Sequence, residues 1–180
     1  MFHPFWCLGA QRKEMVIIMS YVITIDSGTT NMCALLLDAT DGHLIASQYE
    51  NIGIRDCAVS GNNSCLKEAV GRCIHALLHT AQLLPEDIVA ILASGMITSS
   101  LGLLEIAHLT APVGIDELSG GLVTHIFPDI CPIPITFIPG VKNYPGVPAD
   151  MMRGEETEAI ALLERFSPPK NTLLILPGSH

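Results

Sequence analysis

Residues 23–31, with the sequence I-T-I-D-S-G-T-T-N, constrain the fold of this chain more than any other segment. The apolar beginning predicts a buried strand that delivers Asp26 into a turn of small residues before a second apolar strand begins. Gly28 permits close approach to the backbone. Hydroxyl, amide and main-chain donors follow it at Thr29, Thr30 and Asn31. Such a turn suits a phosphate group, and Asp26 is placed to hold Mg²⁺ through water.

The same residues also fit an ordinary strand–turn–strand with a hydrophilic turn. The sequence contains no GxxxxGK[ST] loop and no GxGxxG pattern, so P-loop and Rossmann nucleotide sites are not supported. The order of the surrounding elements therefore helps to decide between a phosphate-binding turn and a plain hairpin.

Apolar periodicity and turn residues predict the remaining elements. Strands are predicted at 21–26, 32–38 and 43–50, then a loop at 51–64, a helix at 66–84, a strand at 88–93, a helical region at 115–127 interrupted at Gly120-Gly121, a strand at 133–138, a helix at 155–166 and a strand at 172–176. The hairpin signal Asp41-Gly42 makes the first strands antiparallel. This order predicts an α/β fold of the ribonuclease-H-like type, with a mixed sheet and helices on both faces.

Composition bounds the class of protein and its partners. Apolar residues make up 49% of the 180-residue chain and charged residues 15%, which favours one globular domain with a buried sheet. The net charge of −9 leaves no basic stripe for a phosphodiester backbone, so nucleic acid is not an expected partner. The six cysteines show no CxxC pair, which indicates reduced thiols and a cytoplasmic protein.

The amino-terminal segment imitates a signal peptide only in part. Arg12 and Lys13 precede the apolar run 16–25. No A-x-A-like cleavage site follows, and the run is shorter than the ~20 residues that a membrane span needs. We therefore expect no membrane partner. Residues 1–19 are predicted to be a disordered or upstream extension, with Met15 or Met19 as alternative first residues.

A second candidate site lies at 150–158, where acidic residues cluster at the predicted start of a helix. Compensation of the helix dipole explains acidic residues in a first turn, but it does not explain Arg153. An Arg-Gly pair before a helix suits binding of a carboxylate or phosphate, and a glutamate there could accept a proton from a substrate hydroxyl. A third candidate is the apolar stretch 174–176, which runs into Pro-Gly-Ser-His and is otherwise explained as a strand and a turn.

Five stretches together resemble the 2-keto-3-deoxy-galactonokinase family of the sugar kinase, actin and Hsp70 superfamily. They are D-S-G-T-T-N at 26–31, A-S-G-M-I-T-S at 93–99, A-P-V-G at 111–114, M-R-G-E-E-T at 152–157 and L-P-G-S-H at 176–180. The R-G-E-E-T and P-G-S-H pieces are the most specific of these. The resemblance implies transfer of the γ-phosphate of ATP to the 6-hydroxyl of 2-dehydro-3-deoxy-galactonate, in galactonate breakdown.

The resemblance also assigns roles to residues. The turn Asp26, Gly28, Thr29, Thr30 and Asn31 would bind phosphate, with Asp26 at the Mg²⁺, and Gly178 and Ser179 would begin a second phosphate turn. Glu155 would be the base that accepts the substrate proton, with Glu156 as a substitute. Arg153 would pair with the substrate carboxylate or with the transferred phosphate.

The family pattern divides the chain into an N-terminal kinase lobe at 20–168 and the first strand of a second lobe at 169–180. Family members continue into an adenosine-binding part, whereas this chain ends at His180, so we expect the 180 residues to be inactive alone. Two other functions stay open. One is a non-catalytic lobe that binds a sugar acid or a protein, and the other is a conformational ATPase of the same superfamily.

Overall fold

The computed structural model describes residues 20–145 and 150–176 of the chain. These two ranges contain nine strands: β1 (Tyr21–Ser27), β2 (Met32–Asp38), β3 (Leu44–Glu50), β4 (Ile88–Gly95), β5 (Leu109–Thr110), β6 (Val123–His125), β7 (Ile135–Phe137), β8 (Val141–Lys142) and β9 (Met151–Met152). The same described residues form four α-helices: α1 (Ile54–Ser60), α2 (Ser64–Ala81), α3 (Ile115–Gly120) and α4 (Glu155–Phe166). Short 3-10 turns cover Pro85–Asp87 and Met96–Thr98.

The centre of the fold is a six-stranded sheet with the order β3-β2-β1-β4-β7-β6. The first three strands pair antiparallel, as the hairpin signal predicted, while β4 runs parallel to both β1 and β7. Edge strand β6 pairs antiparallel with β7. The sheet is therefore mixed, as the sequence predicted, but α2 packs on one face while the opposite face carries a cleft rather than the packed helices that were also predicted. The structure also contains a second sheet of three short strands, β5-β8-β9, which the sequence did not predict.

The core lies on one face of the central sheet. Because side chains alternate along a strand, every second residue of β1, β2 and β4 points to this face. These residues are buried almost completely: Ile23, Ile25, Ala34, Leu36, Ile91 and Ala93. Helix α2 contributes Leu66, Ala69, Val70 and Leu77 to the same cluster at helical spacing. Burial of each large aliphatic side chain contributes about 1.5–3 kcal/mol, and this face therefore dominates stability.

Two predicted elements differ from the observed ones for local reasons. The segment 51–64 was predicted as a loop, but α1 forms within it because Gly61 ends the helix at φ +71° and Ile54 and Cys57 pack into the core. The predicted helical region 115–127 stops at Gly120, and the β-branched pair that follows joins the sheet as β6. Helix α2 ends in a left-handed Gln82 rather than at Leu84.

The predicted strand at 172–176 is wrong, because these residues form no strand and Leu173 and Ile175 are exposed. The predicted helix at 155–166 is confirmed at both ends as α4. Predictions for residues 1–19, 178 and 179 lie outside the described residues. Within the described ranges, no helix is both long and apolar enough to cross a lipid bilayer.

Candidate functional site

The turn after β1 is closed by its own backbone and held from below by α1. The Gly28 amide donates to the Asn31 carbonyl at 2.8 Å. The first amides of α1 donate into the turn, from Ile54 to the Gly28 carbonyl at 3.3 Å and from Arg55 to the Thr29 carbonyl at 3.0 Å. The hydroxyl and amide side chains of the turn stay exposed to solvent: Thr29, Thr30 and Asn31. The turn is thus fixed on one side and open on the other.

Gly53, just before α1, explains why the turn and the helix can approach so closely. A Cβ at this position would lie 2.5 Å from the carbonyl carbon and oxygen of Thr29. Only glycine leaves room for that contact, since real Cβ atoms do not come so near to backbone atoms. Because the sequence predicts a loop at 51–64, this contact between Gly53 and the turn was not expected.

Asp26 lies beside two further glycines with positive φ. Gly95 ends β4 at φ +81°, and a Cβ there would lie 2.6 Å from Asp26 Oδ1 and 2.5 Å from the Ser27 carbonyl. Gly154 precedes α4 at φ +118°, where a Cβ would stand 3.6 Å from Asp26 Oδ1. Two glycines from distant parts of the chain therefore form a cradle for this carboxylate.

Two clefts meet at Asp26. The first, of about 540 Å³, lies between the open face of the sheet and the start of α4, and includes Thr24, Asp26, Leu35, Ser94, Glu155, Thr157 and Glu158. The second, of about 520 Å³, lies over the turn and the edge of β3, and includes Thr29, Thr30, Asn31, Tyr49 and Asn51. Asp26, Gly28 and Cys33 line both. A group bound over the turn can therefore contact a group bound between the sheet and α4.

Negative charge accumulates where the clefts meet. Partial burial raises the pKa of Asp26, and the charges of Glu158 and then Glu155 raise it further. A cation at this place would relieve the repulsion. Within residues 20–145 and 150–176, no three acidic, histidine or cysteine side chains converge closely enough to hold a metal alone. Asp26 is the carboxylate that could contribute to a Mg²⁺ shell here, since Mg²⁺ commonly takes one or two carboxylates and completes its shell with substrate phosphates and water.

Glu155 and Glu156 have different surroundings although they are neighbours. Glu155 is half-buried, lines the first cleft and accepts the Arg153 amide at 2.9 Å. Glu156 is 2% exposed, and both of its carboxylate oxygens accept the Gly154 amide at 2.8–2.9 Å. Burial raises the pKa of Glu156. Of these two glutamates, the structure brings only Glu155 to the cleft.

Arg153 is one of the residues that line the first cleft, and its guanidinium points into the protein. It donates to the Thr98 carbonyl at 2.6 Å and to the Thr98 hydroxyl, and it contacts the Ile106 carbonyl and the His108 ring. The Thr98 hydroxyl in turn donates to the Gly95 carbonyl at 3.0 Å. Burial and the charge of Arg153 lower the pKa of His108. Arg153 therefore ties the start of α4 to the loop that follows β4.

A family model for 2-keto-3-deoxy-galactonokinase matches residues 26–180, which include Asp26, the turn that follows it and α4. The chain belongs to the 2-keto-3-deoxy-galactonokinase family. The resemblance drawn from the sequence motifs is thereby confirmed. No protein in a search of curated proteins matches the chain.

Solved structures give the fold of this family member an independent comparison. One, described as a 2-dehydro-3-deoxygalactonokinase from Sinorhizobium meliloti, is 21% identical with a TM-score of 0.61. It is matched over 80% of this chain and 42% of that chain, so this chain spans less than half of its length. Another, described as a reductive activator for a corrinoid, iron-sulfur protein, is 19% identical with a TM-score of 0.38 over 46% of this chain and 16% of that one.

The second phosphate turn that the family resemblance implies, at Gly178 and Ser179, lies outside the described residues. The last described residue before it, Leu176, lines the first cleft. The sequence identified Asp26 and Glu155 as site residues. It included Thr98 in the stretch 93–99 and Glu158 in the acidic cluster 150–158 without giving either a role, and it gave no signal for Gly53.

Proposed function

We propose that this chain forms the phosphate- and acceptor-binding part of an ATP-dependent kinase whose substrate is a sugar acid, 2-dehydro-3-deoxy-galactonate. The observation that carries the proposal is the meeting of the two clefts at Asp26, between an open turn of donors and the carboxylate of Glu155. Phosphoryl transfer depends on the positioning of two substrates and on charge stabilisation, and this geometry supports both.

In this proposal the second cleft receives the phosphates of ATP. Gly28 allows the phosphate chain to approach the backbone, and Thr29, Thr30 and Asn31 supply donors. Asp26 would hold Mg²⁺, which when bound neutralises charge on the transferred group. The binding of the phosphates would use main-chain geometry that α1 already fixes, so little reorganisation is needed on binding.

The first cleft then receives the sugar acid, with its 6-hydroxyl towards Asp26. Glu155 accepts the proton of the 6-hydroxyl while the hydroxyl oxygen bonds to the γ-phosphorus of ATP. The bond between the γ-phosphorus and the bridging oxygen breaks, and ADP leaves with its electrons. Glu155 is held for this role because its carboxylate accepts the Arg153 amide. Glu158, on the same side of α4, adds to the negative field that favours a cation near Asp26.

We assign Glu156 and Arg153 to positioning rather than to substrate contact. The buried Glu156 carboxylate accepts a hydrogen bond from the Gly154 amide. The Arg153 guanidinium donates hydrogen bonds to Thr98 and to the Ile106 carbonyl. Both therefore fix the turn that presents Glu155 to the cleft. This differs from the sequence-based hypothesis that Glu156 substitutes as base and that Arg153 pairs with a substrate anion.

The architecture supports assigning residues 20–168 to a ribonuclease-H-like lobe, since the strand order β3-β2-β1-β4-β7 starts with three antiparallel strands. We propose that residues 169–180 begin a second lobe. Because the chain spans 42% of the solved relative's length, we also propose that turnover needs residues beyond this part. The use of ATP and the free thiols of the five described cysteines support a cytoplasmic location.

The proposal is tested by following ADP formation with ATP, Mg²⁺ and 2-dehydro-3-deoxy-galactonate, for the 180-residue chain alone and with the C-terminal part of a family member supplied in trans. We expect turnover only from the combination, and only when the sugar acid is present. Rapid turnover by the 180 residues alone would contradict the two-part requirement. ADP formation that ignores the sugar acid would identify a conformational ATPase, and binding of the sugar acid without ADP formation would identify a binding lobe.

A further inference from the structure

Two cysteines outside the clefts face each other across the junction of α1 and α2. Cys57 lies in α1 and Cys65 in the first turn of α2, with their Sγ atoms 3.8 Å apart. Cys57 is 1% exposed, whereas Cys65 is half-buried and reachable from solvent. A disulfide has an S–S length of about 2.05 Å, so a side-chain rotation and a small helix shift would close the gap.

We propose that Cys57 and Cys65 form an oxidation site, at which a peroxide converts the two thiols into a disulfide that locks α1 to α2. The pairing is set by the fold rather than by sequence spacing, because the short connection through Gly61 turns α2 back against α1. All five cysteines that the structure describes are free thiols, Cys57 and Cys65 included, so no existing disulfide among them has to be broken first.

The chemistry starts at the accessible thiol. Cys65 Sγ attacks hydrogen peroxide, which is reduced to water as Cys65 becomes a sulfenic acid. Cys57 Sγ then attacks the Cys65 sulfur, and the hydroxyl leaves as a second water with the Cys57 proton. Burial raises the pKa of Cys57 to about 11, with the hydrogen bond to Cys65 as the next cause. Cys57 therefore acts as the second, resolving thiol rather than as the site of first attack.

The disulfide would act on the phosphate turn through α1. The first two amides of α1 donate to the carbonyls of Gly28 and Thr29, so movement of the turn away from α1 requires those bonds to open. Fixing α1 to α2 restricts this opening. The bond itself does not depend on the kinase assignment, but its meaning as control over phosphate binding rests on the proposed function.

The first experiment detects the bond in the full chain carrying Cys7→Ser, which removes the cysteine outside the described residues. Hydrogen peroxide should lower the intact mass by two hydrogens, dithiothreitol should restore it, and peptide mapping should join the peptides of Cys57 and Cys65. Cys65→Ser, at a half-buried position, should abolish the mass change, while Cys131→Ser should not. A bond between other cysteines, or a sulfinic acid at Cys65 without any bond, would overturn the proposal.

The second experiment measures hydrogen exchange of the Ile54 and Arg55 amides in the reduced and oxidised chain. These amides should exchange about tenfold more slowly after oxidation, because the cross-link disfavours the open form. The Leu118 amide, which donates within the distant α3, is the matched control and should not change. Equal exchange in both forms would refute the coupling to the turn. Since neither experiment measures phosphoryl transfer, that result would leave the kinase proposal to be judged by its own assay.

Discussion

The two faces of the central sheet are built from the same strands but serve different ends. Along β1, Ile23 and Ile25 are 0–1% exposed, whereas Thr24 between them is half-buried and Asp26 is exposed to the clefts. One face packs against α2 and supplies stability. The other face stays open and carries Asp26 at its end. Because neighbours in sequence belong to opposite faces, substitutions one residue apart should separate folding from function.

The largest expected effect lies on the open face. Glu155→Gln removes the proton acceptor but keeps the shape and the bond to the Arg153 amide, so turnover of the complemented enzyme should fall by about 10²–10⁴ with an unchanged melting temperature. Glu158→Gln is the matched control, one helical turn further along the same cleft, and should lose much less. Equal losses in the two variants would mean that Glu155 acts only through its charge.

Adjacent leucines of β2 give the sharpest contrast for stability. Leu36 is 0% exposed in the core, whereas Leu35 is half-buried and lines the first cleft. Leu36→Ala should lower the free energy of unfolding by about 3 kcal/mol, and Leu35→Ala by about 1 kcal/mol. Urea denaturation of both variants measures the difference. Similar costs at the two positions would show that the open face contributes to the core.

The start of α4 tests whether a buried carboxylate shapes the site. Glu156→Ala leaves the Gly154 amide without its acceptor and creates a cavity, so the free energy of unfolding should fall by about 2–3 kcal/mol. Glu156→Gln keeps an acceptor and should cost less than half as much. Turnover should follow stability in both variants, and a catalytic loss in Glu156→Gln without a stability loss would make Glu156 a base after all.

Parts of the fold and of the candidate site could be predicted from the sequence because their signals are local. The bounds of α4 follow from Gly154 before it and an acidic first turn, and the pairing of β1 with β2 follows from two apolar runs around a small-residue turn. The sequence indicates a functional role for Asp26 in the same local way, because an acidic residue between a buried apolar strand and a glycine turn has little structural reason to be there.

What escaped prediction depends on contacts between distant segments. Helix α1 is less than two turns long and buries only Ile54 and Cys57, so its stability comes from the core and from the turn that it supports. Strand β6 exists only because β7 is there to pair with it. The hydrogen bond from Arg153 to the Thr98 carbonyl joins residues 55 positions apart, which no local sequence pattern can predict.

A smaller effect concerns the contact between α1 and the turn. Gly53→Ala places a Cβ 2.5 Å from the Thr29 carbonyl, so the helix or the turn must move, at a cost of about 2 kcal/mol in the free energy of unfolding. Gly120→Ala, at an exposed position with open space around it, should be neutral or stabilise by up to about 1 kcal/mol. Weaker phosphate binding in Gly53→Ala alone, measured by titration with Mg²⁺-ATP, would connect the contact to function.

The smallest effect is a pH dependence with a defined sign. The folded state raises the pKa of Asp26 above its ordinary value of 3.8, so the native protein binds the proton more tightly than the unfolded chain does. This contribution to stability is complete below about pH 4 and is lost as the pH rises through the raised value. Asp26→Asn cannot ionise at this position and so does not lose stability as the pH rises. The unfolding free energy of this variant, relative to the wild type, should therefore increase from about pH 4 to above the raised pKa.

Asp38 provides the opposite sign in the same sheet. Its hydrogen bonds with the side chain and backbone of Thr40 lower the pKa of Asp38, so its contribution is present above pH 4 and lost as the pH falls. Asp38→Asn should therefore become less stable relative to the wild type as the pH rises, in urea denaturation at pH 3–7.

Added Mg²⁺ should stabilise the wild type but not Asp26→Asn. Parallel curves for the two variants would mean that the open face imposes no charge penalty on Asp26, and the case for a cation there would fail.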